Sequence, residues 1–189
     1  MSTFVKTPID KQNNLYRIEN AVDPNLIENF NNEDISLYSV EESPGHQRWP
    51  RKKIIPYEGS TLSEIKRQLT KNAKCDDVVF WLDSEGFTMG PHIDNKNVKV
   101  AMQVYIGNAS SDLGTVFYHV DNSDVIMITK PDGSRDWFLK RTTELETRYN
   151  FKYIPNTGYY CVNGKLQAHG LEKTVGPNDF RVSAYCYFY

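Results

Sequence analysis

Apolar positions along this chain change their period near residue 78. Before that point they recur at helical intervals in two places. A short strand over Leu15 to Val22 is followed by Asp23 and Pro24, an N-cap and a first-turn proline for a helix reaching about Asn29. Thr61 and Glu64 stand at capping-box spacing, and Leu62, Ile65 and Leu69 repeat with the helical period, which predicts a second helix through about Asn72. From Val78 onward the apolar runs are short, alternating or continuous, and separated by turn residues, as in a sandwich or barrel. The clearest is Val98 to Ile106. Val98, Val100, Met102, Val104 and Ile106 share one face, and Lys99, Ala101, Gln103 and Tyr105 share the other. Such a mixed second face lines a polar pocket or meets solvent, and the segment alone leaves both open.

Further strands are predicted over Gly114 to Tyr118, Val125 to Thr129 and Trp137 to Lys140, the last two flanking the turn Pro131, Asp132, Gly133. Thr142 to Tyr149 fits neither period. Pro155 to Gly158 turns into a strand over Tyr159 to Val162, Asn163 and Gly164 make a tight turn, and the chain closes on an apolar strand from Val182 to Phe188.

A length of 189 residues with no visible linker points to one domain over 1–189, with an N-terminal strand and helix support in 1–77 and a β core in 78–189. Aromatic residues make up 13% of the chain, which strengthens the β reading. A net charge of -2 exerts no global pull on nucleic acid or anionic membrane. The basic cluster Arg48, Arg51, Lys52 and Lys53, broken by Trp49 and Pro50, reads as a solvated loop. Cys75, Cys161 and Cys186 have no metal-binding spacing and fit a reducing interior. Without an apolar h-region in the first ten residues, or an apolar run of about 18, a soluble cytoplasmic protein is expected.

The candidate chemistry lies in His92, Asp94, His169 and Arg181. Two imidazoles and a carboxylate on neighbouring strands can occupy one face of an octahedral iron(II) and leave the other open. With 4 histidines in the chain, an H-x-D somewhere has a chance of about 0.28 and means little alone. Adding an Arg 12 residues after His169, and Ser183 two places on, brings the product to the order of 0.005.

From about Gly86 to Phe188 the chain resembles the iron(II)- and 2-oxoglutarate-dependent oxygenases, especially their prolyl-hydroxylase-like branch. The resemblance is carried by GFTMGPHID, VAMQVYIGN, GTVFY, PNTGYYCVN and HGLEKTVGPNDFRVSAYCYF. It implies a mainly β fold, the double-stranded β-helix or jelly roll, with flanking N-terminal helices. It implies His92, Asp94 and His169 as the metal ligands, and Arg181 with Ser183 as the site for the far carboxylate of 2-oxoglutarate, assisted by Tyr105. The implied cofactors are Fe(II), 2-oxoglutarate and dioxygen, with ascorbate as a candidate reductant. Arg suits the carboxylate because it stays charged and offers a planar fork. Halogenating relatives replace the ligand carboxylate with a small residue, so Asp94 implies hydroxylation.

The resemblance makes a peptide or protein side chain the first candidate substrate and a small metabolite the next. Nucleic acid is disfavoured, because Tyr187 stands where the demethylating branch carries a second Arg. A cupin-like binding protein, which usually carries H-x-H, and a jelly-roll module with a dead site are the rival classes. His46 and His119 read as structural residues of a β core. Gln103 shares the face of Tyr105 and either packs or reaches a ligand, while Trp49, Tyr57 and Trp81 read as core or as a lid.

Overall fold

The computed structural model describes residues 3–42, 50–140 and 143–188, so His46, Arg48, Trp49 and Thr142 lie outside the described residues. In chain order the elements are β1 (Val5–Asp10), β2 (Leu15–Glu19), α1 (Pro24–Asn32), β3 (Ser39–Glu42), β4 (Arg51–Ile55), α2 (Thr61–Ala73), β5 (Asp77–Asp83), β6 (Val100–Tyr105), β7 (Thr115–Tyr118), β8 (Val125–Thr129), β9 (Arg135–Leu139), β10 (Thr147–Phe151), β11 (Thr157–Val162), β12 (His169–Leu171) and β13 (Arg181–Tyr187). Short 3-10 turns cover Ile35–Leu37 and Ser111–Leu113.

Eight strands form one sheet in the order β1-β2-β11-β6-β13-β5-β4-β3, and β10-β7-β12 form a second. Among the described residues β8 and β9 pair only with each other. The strands of the large sheet alternate between two buried faces. Met102, Val104, Val182, Ala184, Val78 and Phe80 join Leu62, Ile65 and Leu69 of α2 and Phe30 of α1 in one apolar cluster. Ala101, Tyr105, Tyr159 and Cys161 join Phe117 and Phe151 of the small sheet in another. The face of β6 that carries Gln103 and Tyr105 is therefore interior, and the sequence alternative of a solvent face is excluded. This is the double-stranded β-helix with helices against the outside of its large sheet.

The helices form where periodicity places them. Asp23 caps α1 by accepting from the Asn25 amide at 3.0 Å, and the helix runs three residues past the expected end. The α2 cap is Ser60, whose hydroxyl accepts from the Ser63 amide at 3.2 Å. Thr61 is the first helical residue, one place inside the cap that the capping-box spacing indicates. Its hydroxyl bonds the Glu33 carboxylate instead and ties the two helices together.

Three expectations are corrected. Arg51, Lys52 and Lys53 lie on β4 rather than in a solvated loop, with Arg51 buried. Pairing with β5 decides this, since it turns Arg51 inward and Lys52 outward. His119 is exposed beyond the end of β7 and is no part of the core. Tyr57 packs on Tyr38 on the helical side of the large sheet, away from the metal-ligand candidates, so it forms no lid. Trp81 is half-buried on β5 beside Arg51.

Candidate metal centre and its carboxylate pocket

His169 opens β12, and His92 meets it from the loop between β5 and β6 as an isolated antiparallel bridge. Each amide donates to the other's carbonyl at 2.9 Å. A Cβ on Gly170 would lie 2.7 Å from the Met89 carbonyl oxygen, so only glycine lets the two segments close this far. Both rings are oriented from behind. His92 Nδ1 donates to the Gly90 carbonyl and His169 Nδ1 to the Gln167 carbonyl, each at 3.0 Å. In that tautomer both Nε2 lone pairs face inward, toward Asp94.

Asp94 Oδ1 lies 3.8 Å from His92 Nε2, and its Oδ2 lies 3.8 Å from His169 Nε2. One ligand atom from each of the three residues falls within 4.8 Å of the others. With bonds of about 2.1 Å, two donors on one ion are at most about 4.2 Å apart, so small side-chain rotations close the set. Removal from water, with His169 alongside, pushes the His92 imidazole down to about 4, so it is a neutral donor at physiological pH. Phe117 stacks on His169 with centroids 5.3 Å apart and limits its rotation. Two imidazole nitrogens and one carboxylate with a solvent-facing side are a donor set that fits iron(II).

From His169 a narrow cleft lined by Met89, Phe87, Thr115 and Gln103 runs to Arg181. Arg181 is 1% exposed on the interior face of β13. Its Nε donates to the Leu113 carbonyl at 2.8 Å, and its Nη1 donates to Asp83 Oδ2 at 2.6 Å and to Ser183 Oγ at 3.4 Å. The surroundings orient the Gln103 amide with its oxygen toward Arg181, accepting from Nη2 at 2.7 Å and from Ser183 Oγ at 3.0 Å. The hydroxyl of Tyr105 does not reach the guanidinium. It donates to Thr115 Oγ1 and accepts from the Thr115 amide, both at 3.0 Å, while its ring lies 5.7 Å from the Arg181 guanidinium carbon. Thr115 in turn holds Gln103 and lines the pocket, so Tyr105 acts on the site through Thr115.

The structure thus places His169, with His92 and Asp94 beside it, at one end of a pocket, and Arg181 and Gln103, with Ser183 bonded to both, at the other. No family model and no curated protein matches the chain by sequence. Solved structures do match. HygX from Streptomyces hygroscopicus, with nickel and 2-oxoglutarate bound, superimposes with a TM-score of 0.55 at 9% identity over 96% of this chain and 87% of that one. The same protein with hygromycin B also bound gives 0.54 over 95% and 87%. The shared feature is the fold. A prolyl-4-hydroxylase from Pseudomonas putida aligns with a TM-score of 0.49 at 11% identity over 94% of each chain.

Two residues escape a reading of the sequence alone, Arg51 in the pocket wall and Asp83 behind it. Asp83 is 0% exposed and Arg51 is 5% exposed. Arg51 Nε donates to Asp83 Oδ1 at 2.5 Å and its Nη2 to Oδ2 at 3.0 Å. The available signal is the carboxylate that ends the apolar run Val78 to Leu82, because a buried carboxylate requires a cation. Which cation answers is decided by strand order. Asp83 pairs with Arg181 on one side and with Arg51 on the other.

Proposed function

We propose that this protein is an Fe(II)- and 2-oxoglutarate-dependent dioxygenase that hydroxylates a C–H bond, first of all in a peptide or protein side chain. The observation that supports it best is one pocket that runs from His169, a member of a two-histidine, one-carboxylate cluster, to the buried guanidinium of Arg181. A dicarboxylate with a keto group beside one acid matches both ends. His92, Asp94 and His169 would hold the iron, and Arg181, with Ser183 and Gln103, would hold the distal carboxylate. Bound there, the iron would supply dioxygen activation coupled to decarboxylation, so that R–H, O2 and 2-oxoglutarate become R–OH, succinate and CO2. The chain's own work is orientation and exclusion of water. Fixed tautomers on both histidines present their lone pairs without a proton to remove, and Phe87, Tyr159 and Met89 line the pocket with apolar surface.

The β8–β9 hairpin supports an extended substrate. Ile126, Met127, Ile128 and Phe138 are exposed on it, and its Asp136 carboxylate accepts from the Lys96 amide at 2.9 Å, two residues from Asp94. An apolar ribbon anchored beside a ligand loop offers a surface to a chain longer than a metabolite. Three buried free thiols are in keeping with a reducing, cytoplasmic setting. No helix among the described residues is long and apolar enough to cross a membrane.

The test is succinate release. Protein loaded anaerobically with iron(II) and then exposed to air, with ascorbate present, should release succinate against a panel of peptides, metabolites and nucleotides, with His169→Ala as the blank. Release with peptides supports the full reading, and release with metabolites alone replaces the substrate class. If 2-oxoglutarate neither binds nor turns over in any arm, the reading is wrong.

A further inference from the structure

The carboxylate end of the pocket holds two guanidiniums and one carboxylate, all buried, in a line across three adjacent strands. Asp83 spends both oxygens on this arrangement. It accepts from Arg51 at 2.5 and 3.0 Å and from Arg181 at 2.6 Å. Both arginines keep their charge. Burial opposes it, but the Asp83 carboxylate, in contact with both guanidiniums, favours the charged form of each. Among the described residues Asp83 is the one carboxylate that contacts these guanidiniums, and Gln103, Ser183 and the Leu113 carbonyl, which complete the hydrogen bonds of Arg181, carry no charge. The cluster therefore carries one positive charge in excess. An uncompensated buried charge is costly, and a single ligand carboxylate on the pocket side of the guanidiniums removes that cost.

We propose that Arg51 is a second cosubstrate-binding residue, and that the distal carboxylate of 2-oxoglutarate is held on the pocket side of the Arg51–Asp83–Arg181 cluster, where both guanidiniums line the wall. The inference rests on the dioxygenase reading and extends it. Arg181 alone would not create the demand for an anion, because Asp83 already neutralises it. Arg51 supplies the surplus that selects a ligand with one negative charge at this end. Its guanidinium carbon lies 4.3 Å from the centroid of the Phe87 ring, which holds the fork flat against the pocket wall, and both residues line the same pocket as His169.

The experiment measures binding rather than turnover. Mn(II)-loaded protein is titrated calorimetrically with 2-oxoglutarate, and metal-free protein with Mn(II), for wild type, Arg51→Gln and Arg51→Lys. Arg51→Gln is expected to raise the 2-oxoglutarate Kd at least about tenfold, equivalent to about 1.4 kcal/mol, with Mn(II) affinity within about twofold of wild type. Arg51→Lys keeps the charge but cannot serve Asp83 and a ligand from one planar fork, so a loss of at least about threefold is expected. Equal 2-oxoglutarate affinity in wild type and Arg51→Gln overturns the inference and leaves the dioxygenase reading standing. If Arg51→Gln does not fold, unchanged affinity in Arg51→Lys overturns it equally. A wild type that binds Mn(II) but no 2-oxoglutarate overturns both.

Discussion

Replacing Asp83 by Asn tests the charge arrangement through stability alone. The substitution keeps the side-chain volume and one acceptor oxygen but removes the only carboxylate that either buried guanidinium contacts among the described residues. Breaking a buried ion pair by removing one partner costs about 3–5 kcal/mol, because the other charge is left in a low-dielectric site. Asp83 and Arg181 are 0% and 1% exposed at their side chains, so solvent gives little relief. For a chain of this size each kcal/mol corresponds to about 2–4 °C, and a fall in Tm of about 6–20 °C is expected. Thermal unfolding followed by circular dichroism at low ligand concentration reads it, with urea unfolding as a second measure. The cycle with Arg51→Gln sharpens the test. With one cation already removed, Asp83→Asn strands one charge instead of two, so the double variant should be more stable than the sum of the single effects predicts. A Tm within about 3 °C of wild type for Asp83→Asn, or single effects that add within about 0.5 kcal/mol, would refute the reasoning.

Other outcomes follow from the same geometry. Gly170→Ala puts a methyl 2.7 Å from the Met89 carbonyl oxygen, so β12 must shift, and metal affinity should fall along with about 1–3 kcal/mol of stability. Mn(II) titrations and melting curves check both, and an unchanged metal Kd would mean that the His92–His169 bridge does not set the site. Saturating Mn(II), at about 100 times its Kd, should stabilise wild type by about 2.7 kcal/mol and His169→Ala far less, as read by Tm; an equal response in both would place the ion elsewhere. Burial raises the Tyr105 phenol to about 12, and burial also raises Tyr153 and Tyr159. The Tyr105 contribution to stability is intact below the unfolded value of about 10 and is lost as pH climbs through about 12, and those of Tyr153 and Tyr159 are lost in the same direction. An ultraviolet titration should therefore show these tyrosines ionising only together with unfolding, and smooth reversible titration of all twelve near pH 10 would contradict their burial. Replacing Ile126 and Ile128 by Ser should raise KM for a peptide substrate while leaving 2-oxoglutarate Kd and Tm nearly unchanged; an unchanged KM removes the hairpin from recognition.

Local physics made much of this protein legible from its sequence. Helical periodicity located α1 and α2, alternation located β6, and turn residues located the β8–β9 hairpin, because each of these signals is carried by residues a few positions apart. Spacing and residue chemistry also singled out His92, Asp94, His169 and Arg181, since a metal-binding face and a carboxylate clamp each demand particular side chains. Tertiary structure decided the rest. Arg51 reads as one of several solvated cations until β4 pairs with β5 and turns it into the interior. Asp83 has no evident role until two strands, one from each side, bring an arginine against it. Tyr105 occupies the expected face but spends its hydroxyl on Thr115, because the strand that lies across from it is set by sheet packing and not by its neighbours in the chain. Buried charge is balanced between residues that are remote in sequence, and only the order of strands says which of them meet.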